Sequence, residues 1–446
     1  MMDSNSLNLH KFSSGQIDPT LSSRTIMNRE SSKNLAPKSP LSIAVIGGGA
    51  AGFFAAVTAG EANRAANISL FEKGNRFLTK VKISGGGRCN VTHACFDPAE
   101  FSTHYPRGSR ELKAAFHRWQ ANDTIRWFED HGMKLKTESD GRMFPITDNS
   151  QTVIDTLNAA ARKGNVSLCP GVGVHDMIPG ENGIALEFAD GSTRNFDRVC
   201  LSSGSLKGSS LNRTLERLGH TIEPLVPSLF SLNCSDKRTS GLSGISVPNA
   251  AVRIQGSKRW QNGPLLITHR GFSGPAILRL SAWEARQANE VNYHFPLEIA
   301  WIGETNREKT LENLRQWSSG SGKRSIKNSP PVALPQRLWE KLATAAGLDL
   351  QGQWSQVSRT AINSLADELT GFPFSITGKT TNKEEFVTCG GVRRKEVDFR
   401  TMESRIVPRL HFAGETIDID GITGGFNFQA AWTTGRIAGL AMAENE

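Results

Sequence analysis

The chain has 446 residues, with 38% hydrophobic and 21% charged residues, the balance of an ordinary globular protein. At roughly 150 residues per domain that is about three domains, and no run of 18 apolar residues occurs, so a membrane-spanning helix is not expected. Six cysteines without a CxxC pair exclude a disulfide scaffold, point to a reducing, cytosolic setting, and offer no metal-ligand spacing.

Residues 1–40 are rich in Ser and Asn without apolar period, which predicts a disordered leader outside the fold. A buried strand is expected at Leu41–Ile46, followed by a small-residue helix to about Gly60 and a second strand, Ile68–Phe71, ending at Glu72. Residues 110–165 read as helices around a turn at Asp140-Gly141. Further strands are expected at Val166–Leu168, Gly183–Phe188 and Arg198–Ser202. From 220 to 304 short strand-like runs alternate with Gly, Pro and Ser turns, the pattern of a β-rich second domain. Residues 305–352 read as helical and polar, with a linker at Gly320–Pro331. They carry eight Lys or Arg against three Glu up to residue 345, over half of the chain's net charge of +9. Such a patch attracts nucleic acid, anionic lipid or acidic substrates, but only Trp317 and Trp339 are interleaved, which favours a solvated helical face. Beyond Gly378 the glycine-rich pattern of the first domain returns.

The chemistry is concentrated in the glycines. Gly47-x-Gly49-x-x-Gly52 follows a strand and opens a helix: the first permits the turn, the second lets the backbone approach a pyrophosphate, and the third lets helix and strand pack closely. Glu72, at the end of the next strand, is placed to bind a ribose diol and to repel a 2′-phosphate, which fits FAD or NAD and argues against NADP. The residues alone leave FAD and NAD open. Ser84-Gly-Gly-Gly-Arg-Cys-Asn90 reads as a cofactor-contacting loop in which Arg88 and Asn90 donate and Cys89 packs as a small apolar residue. Near the C-terminus, a strand runs through Phe412 into Gly414-Glu415, and Gly424-Gly425 opens a helix from about Asn427. Its amide end would stabilise a reduced, anionic flavin.

Four blocks carry a specific resemblance: Val-Ile-Gly-Gly-Gly-Ala-Ala-Gly, Lys82-Ile-Ser-Gly-Gly-Gly-Arg-Cys-Asn-Val-Thr92, Thr388-Cys-Gly-Gly-Val392 and Gly-Glu-Thr-Ile-Asp-Ile-Asp-Gly-Ile-Thr-Gly-Gly-Phe-Asn. Together, across about 41–446, they resemble the BaiN-like bacterial flavoproteins, FAD-dependent oxidoreductases of the aminoacetone oxidase type. The resemblance implies an α/β fold in which a discontinuous Rossmann-like FAD-binding domain (41–219 and 378–446) is interrupted by a β-barrel domain (220–304 and 353–377) with a helical insert (305–352). It implies that Gly47, Gly49, Gly52 and Glu72, with Ala51 and Lys73, hold the ADP half of FAD, with Val172 or Val174 near the adenine. Lys80, Gly86, Arg88, Cys89 and Asn90 would line the flavin side. Gly414, Glu415, Asp420, Gly425, Phe426 and Asn427 would hold the ribityl chain and pyrimidine edge. Ser202-Ser-Gly-Ser205 departs from the Ala-Thr-Gly-Gly of related FAD domains.

The expected activity is hydride transfer between FAD and a small organic substrate. The catalytic candidates are His269 in its His-Arg-Gly-Phe-Ser-Gly-Pro turn, Arg142 after the Asp-Gly turn, and Cys389. No second glycine fingerprint marks a separate NAD(P)H domain, so a pyridine nucleotide would dock only transiently at the flavin. The competing readings are a flavin-containing protein that binds or modifies RNA through the basic insert, and a flavin-loaded interaction protein without turnover.

Overall fold

A computed structural model describes residues 40–380 and 387–444; the expected leader, apart from Pro40, lies outside the described residues. Its main sheet has seven strands in the order Val397–Asp398, Glu403–Ser404, Leu410–Phe412, Arg198–Leu201, Ser42–Ile46, Asn67–Glu72 and Val166–Pro170. The last five run parallel. Ile43, Ala44 and Val45 are fully buried, as a central parallel strand covered on both faces requires. The C-terminal segment supplies three of these strands, so the sheet is completed only after the chain has left and returned.

Two helices, Ala50–Ala62 and Phe426–Ala443, cross on one face of this sheet. Their contact depends on missing side chains. A Cβ at Gly435 would lie 2.5 Å from the Ala51 carbonyl oxygen, and one at Gly439 would lie 2.4 Å from that of Ala55. Residues Ala51 to Gly60 are all buried, so the first helix is apolar around its whole circumference. A three-stranded meander, Val174–Gly180, Gly183–Phe188 and Thr193–Phe196, packs against the sheet through Phe71, whose ring lies 5.0 Å from Phe188 and 5.8 Å from Phe196.

The interrupting domain is a closed six-stranded barrel of Leu232–Cys234, Gly271–Ser273, Gln261–Thr268, Ser246–Ile254, His294–Ala300 and Gly371–Lys379. Phe272, Trp301 and Phe374 meet with ring centroids 5.2 to 6.3 Å apart and are buried, so the barrel is a packed core rather than a pore. The helical insert, Arg307–Gly320, Gln336–Ala345 and Arg359–Thr370, separates its last two strands. Helix therefore extends well past residue 352. Ser358 caps Arg359–Thr370 by accepting from the Ala361 amide at 3.1 Å, and Ile362, Leu365, Ala366 and Leu369 form its buried stripe.

The two domains are joined by a ribbon in which Ile222–Ser228 pairs antiparallel with Val387–Val392. A buried ion pair fastens this joint. Arg107 Nε donates to Asp420 Oδ1 at 2.5 Å and Arg107 Nη2 to Oδ2, while Ser228 Oγ donates to Oδ2 at 3.0 Å and Arg107 Nη1 to the Ala282 carbonyl at 2.6 Å. Among the described residues no helix is long and apolar enough to cross a membrane.

Candidate active site

A cleft of about 520 Å³ opens at the carboxyl ends of the parallel strands, where ligands of open α/β sheets bind. The three fingerprint glycines are needed for three different reasons. Gly47 has φ +108°, and its Cβ would lie 2.5 Å from the Ser202 carbonyl oxygen. A Cβ at Gly52 would lie 1.9 Å from the Gly47 carbonyl oxygen, so this position sets the approach of helix to strand. Gly49 has nothing within 4 Å of its Cβ position: the space is open, and it belongs to the cleft.

Glu72 lines the cleft and also shapes its floor. Its Oε2 accepts from the Gly48 amide at 2.9 Å and its Oε1 from the Gly74 amide at 2.8 Å, which leaves further lone pairs for a diol. Across the cleft, Lys80 Nζ meets Glu415 Oε2 at 2.9 Å, and Glu415 Oε1 accepts from the Thr388 amide at 2.6 Å. The helix Phe426–Ala443 begins at Gly425, whose φ is +96° and whose Cβ would lie 2.5 Å from the Thr92 carbonyl oxygen. No side chain caps that helix start, nor the one at Gly49. Asn427 closes the preceding loop on itself, accepting from the Gly421 amide at 2.9 Å and donating to the Gly421 carbonyl at 2.8 Å.

Gly47, Gly49, Ala51, Glu72, Lys73, Lys80, Asn90, Gly414, Glu415, Gly425, Asn427 and Arg142 thus come together on one wall or another of the cleft. Other expected residues stand elsewhere. Gly86 carries φ +69° within a left-handed glycine run, yet its position, like those of Arg88, Cys89 and Phe426, is outside the lining. Arg88 pairs with Glu138 at 2.6 Å and lies over the Phe144 ring at 4.0 Å. Cys89 is buried, and burial raises its thiol to about 12. Val172 and Val174 are half-buried against the main core, and the Val172 amide donates to the Glu72 carbonyl at 2.9 Å. Both carboxylate oxygens of Asp420 are taken up by Arg107 and Ser228. Among the catalytic candidates, His269 is exposed at a barrel hairpin. Cys389 is fully buried, and burial holds it as a thiol by raising it to about 11.

Sequence reasoning missed a cluster that lies beside the cleft residues Arg142 and Gly424, just outside the lining itself. His93 Nδ1 bonds the Gly424 carbonyl at 3.0 Å, and its ring stacks on Phe426 at 4.7 Å. His104 approaches the same Phe426 ring at 4.4 Å and His93 at 6.3 Å. Burial lowers both imidazoles, His104 to about 4, and the charge of Arg279, on the barrel helix Pro275–Trp283, adds to the effect on each. Arg279 donates to the Asn262 carbonyl at 2.8 Å, while its buried Nε has no hydrogen-bond partner. The one local signal was the position of His93, three residues after Asn90. His104 and Arg279 arrive from distant segments.

FAD fits these residues. The open cradle at Gly49 and the uncapped helix start beside it suit a pyrophosphate, and Glu72 suits a ribose diol. A buried, unpartnered Ser203 hydroxyl faces the same cleft. The comparison with known families decides the matter, because the HI0933-like protein Rossmann domain matches residues 41–441. The chain belongs to the HI0933-like family. As a member of this FAD-binding Rossmann family, it is a flavin-dependent oxidoreductase. It is 30% identical over 405 residues to the ribosomal RNA dihydrouridine synthase of Escherichia coli, covering 87% of this chain and 95% of that protein. It is 26% identical over 420 residues to the 3-dehydro-bile acid delta(4,6)-reductase of Clostridium scindens, covering 90% and 99%. Among solved structures it resembles the 3-ketosteroid-delta4-(5alpha)-dehydrogenase of Rhodococcus jostii, with TM-score 0.47 and 13% identity, covering 93% of this chain and 99% of that one.

Proposed function

We propose that this HI0933-like protein saturates the 5,6 carbon–carbon double bond of uracil within RNA, one ring carbon taking a hydride from reduced FAD, recharged by a nicotinamide nucleotide, and the other a proton drawn from water. The observation that carries the reading is the shared chemistry of relatives named for unrelated substrates. A dihydrouridine synthase and a delta(4,6)-reductase both saturate a double bond activated by a carbonyl group, and the RNA-directed relative matches at the higher identity. FAD, when bound, supplies the hydride.

The protein's own groups supply position and charge. Gly48, Gly49 and Glu72 would hold the nucleotide half of the cofactor. The Lys80–Glu415 pair borders the middle of the cleft, and the uncapped start of the helix Phe426–Ala443 favours negative charge at its far end. Arg279 stabilises the charge that develops on the substrate carbonyl, while Arg142, paired with Glu138 at 2.9 Å and Asp140 at 2.7 Å, borders that end of the cleft. His93 and His104, neutral at pH 7, offer hydrogen bonds to the polar edge of the base without adding charge. The segments 41–219 and 378–446 serve as the cofactor domain, and the barrel covers the substrate. The cytoplasm, where RNA and reducing nucleotides are both present, is the assigned compartment.

The test is anaerobic. The purified yellow protein is reduced with NADH or NADPH and mixed with uridine-containing ribosomal RNA, and the nucleosides are then analysed by mass spectrometry. Dihydrouridine formed in proportion to flavin reoxidation supports the reading. A protein that reoxidises with a free conjugated enone and never with RNA refutes it, and returns the small-molecule reading.

A further inference from the structure

We propose that a basic groove between the helix Ser109–Phe116 and the segment Arg394–Arg405 is a docking track for the phosphate backbone of RNA. The inference rests on the reading of this enzyme as one that acts on RNA. The groove, of about 380 Å³, is lined by Arg118, Arg394, Lys395, Arg400 and Arg405 together with Glu111 and Asp398; Arg394 is paired with Asp418 and lies 3.7 Å from Glu111, which leaves the other four cations to share Asp398. Asp398 is already shared, with Arg400 at 2.7 Å and Arg405 at 3.5 Å. Its carboxyl is held down at about 2, chiefly by the Arg400 hydrogen bond.

Two guanidiniums on one carboxylate leave positive charge over, and it is presented outward: the Arg400 side chain is 82% exposed. Lys395 makes no ion pair among the described residues. Arg118 donates to a neutral acceptor, the Arg400 carbonyl, so its charge is not cancelled. Exposed Arg110 and Lys113 continue the positive surface along the helix. Arg394 bonds Asp418, which belongs to the same loop as the cleft residues Glu415 and Gly425.

A concave groove of planar guanidiniums suits a narrow chain of phosphates better than a flat lipid surface. The helical insert, basic in sequence, engages part of its charge internally: Arg307 pairs with Asp367, and Lys327 approaches Glu340 at 3.8 Å.

The experiment uses the full-length FAD-loaded protein and a fluorescein-labelled, uridine-containing RNA hairpin, with affinity measured by anisotropy over a salt series. Removing three groove charges in K395Q/R400Q/R405Q is expected to weaken binding and to lower the slope of log affinity against log salt by about 2, near 0.7 per lost phosphate contact. R118Q, which leaves the Asp398 pairs intact, is expected to lower it by about 0.7. Both variants should keep the wild-type rate of flavin reduction by nicotinamide. Unchanged affinity and slope in both variants overturn the proposal, as does a loss confined to K323Q/R324Q in the insert, or wild-type binding to phosphatidylserine vesicles in preference to the hairpin. Failure of the underlying reading looks different: the groove variants lose RNA while the wild-type protein, binding RNA, makes no dihydrouridine.

Discussion

A methyl group added at Gly49 and one added at Gly52 should have opposite consequences, although the residues are three apart. At Gly49 the backbone (φ −87°, ψ −169°) is open to any L-residue, and the new Cβ meets no protein atom within 4 Å. The weaker helix start in G49A costs a few tenths to about 1 kcal/mol. The lost flexibility of the unfolded chain offsets it by about 0.4–1 kcal/mol. The cofactor-free protein should therefore melt within about 1 °C of wild type. The methyl fills the cradle, however, and displaces one amide–phosphate contact worth about 1.5–3 kcal/mol, so FAD affinity should fall roughly tenfold to 150-fold.

In G52A the methyl lies 1.9 Å from a backbone oxygen, which cannot rotate away. The expected cost is about 3 kcal/mol, the upper end for overpacking. With about 2.1 cal/mol/K per residue over roughly 400 residues, that lowers Tm by about 3–4 °C. The assay is scanning calorimetry of the cofactor-free proteins, followed by flavin fluorescence titration. A G49A protein that binds FAD as tightly as wild type, or melts as early as G52A, would refute the assignment of the cradle.

Removing the Asp420 carboxylate in D420A leaves Arg107 buried without its partner and should cost about 3–5 kcal/mol, whereas R107M/D420L should recover most of that loss; urea midpoints measure both. Recovery of stability with FAD affinity still lost would instead make Asp420 a cofactor ligand. His104 takes up its proton near pH 4 in the folded protein and near 6.5 when unfolded, so the unfolded chain binds more protons between those values and stability falls as pH falls through them. H104N should show a shallower fall in urea midpoint from pH 6.5 to 4, and an unchanged slope would contradict the burial of this ring. R279M should lower kcat/KM for the oxidising substrate by about 10²–10³ while stopped-flow reduction of the flavin by nicotinamide stays at the wild-type rate. Equal losses in both half-reactions would show that Arg279 supports the cofactor rather than the substrate.

Some of this molecule was legible residue by residue, because local chemistry decided it. An apolar run such as Ile43–Ile46 followed by spaced glycines admits few structures besides a buried strand, a tight turn and a helix. Glu72 at the end of the next strand could be placed from its spacing alone. The glycines at 424 and 425 marked the start of the last helix for the same reason: φ values of +128° and +96° suit little else. The sequence also showed that the C-terminus returns to the first domain, since its glycine-rich pattern matches the beginning.

Tertiary structure decided the rest, because partners far apart in the chain compete for the same side chain. Asp420 sits in a cofactor-like motif, yet Arg107, 313 residues earlier, claims its carboxylate. Arg88 follows three glycines as a cofactor donor would, yet Glu138 and the Phe144 ring hold it. His269 looked chemical in an isolated turn and is solvent-exposed, while His93, His104 and Arg279 meet only because the barrel helix folds over the first domain. The basic surface follows the same rule. Sequence proximity gathered charge in the insert, where Asp367 and Glu340 engage Arg307 and Lys327, and packing assembled the open groove from segments nearly 300 residues apart. Backbone geometry is written in short windows of sequence, but the free or engaged state of a charge depends on every group the fold brings within reach.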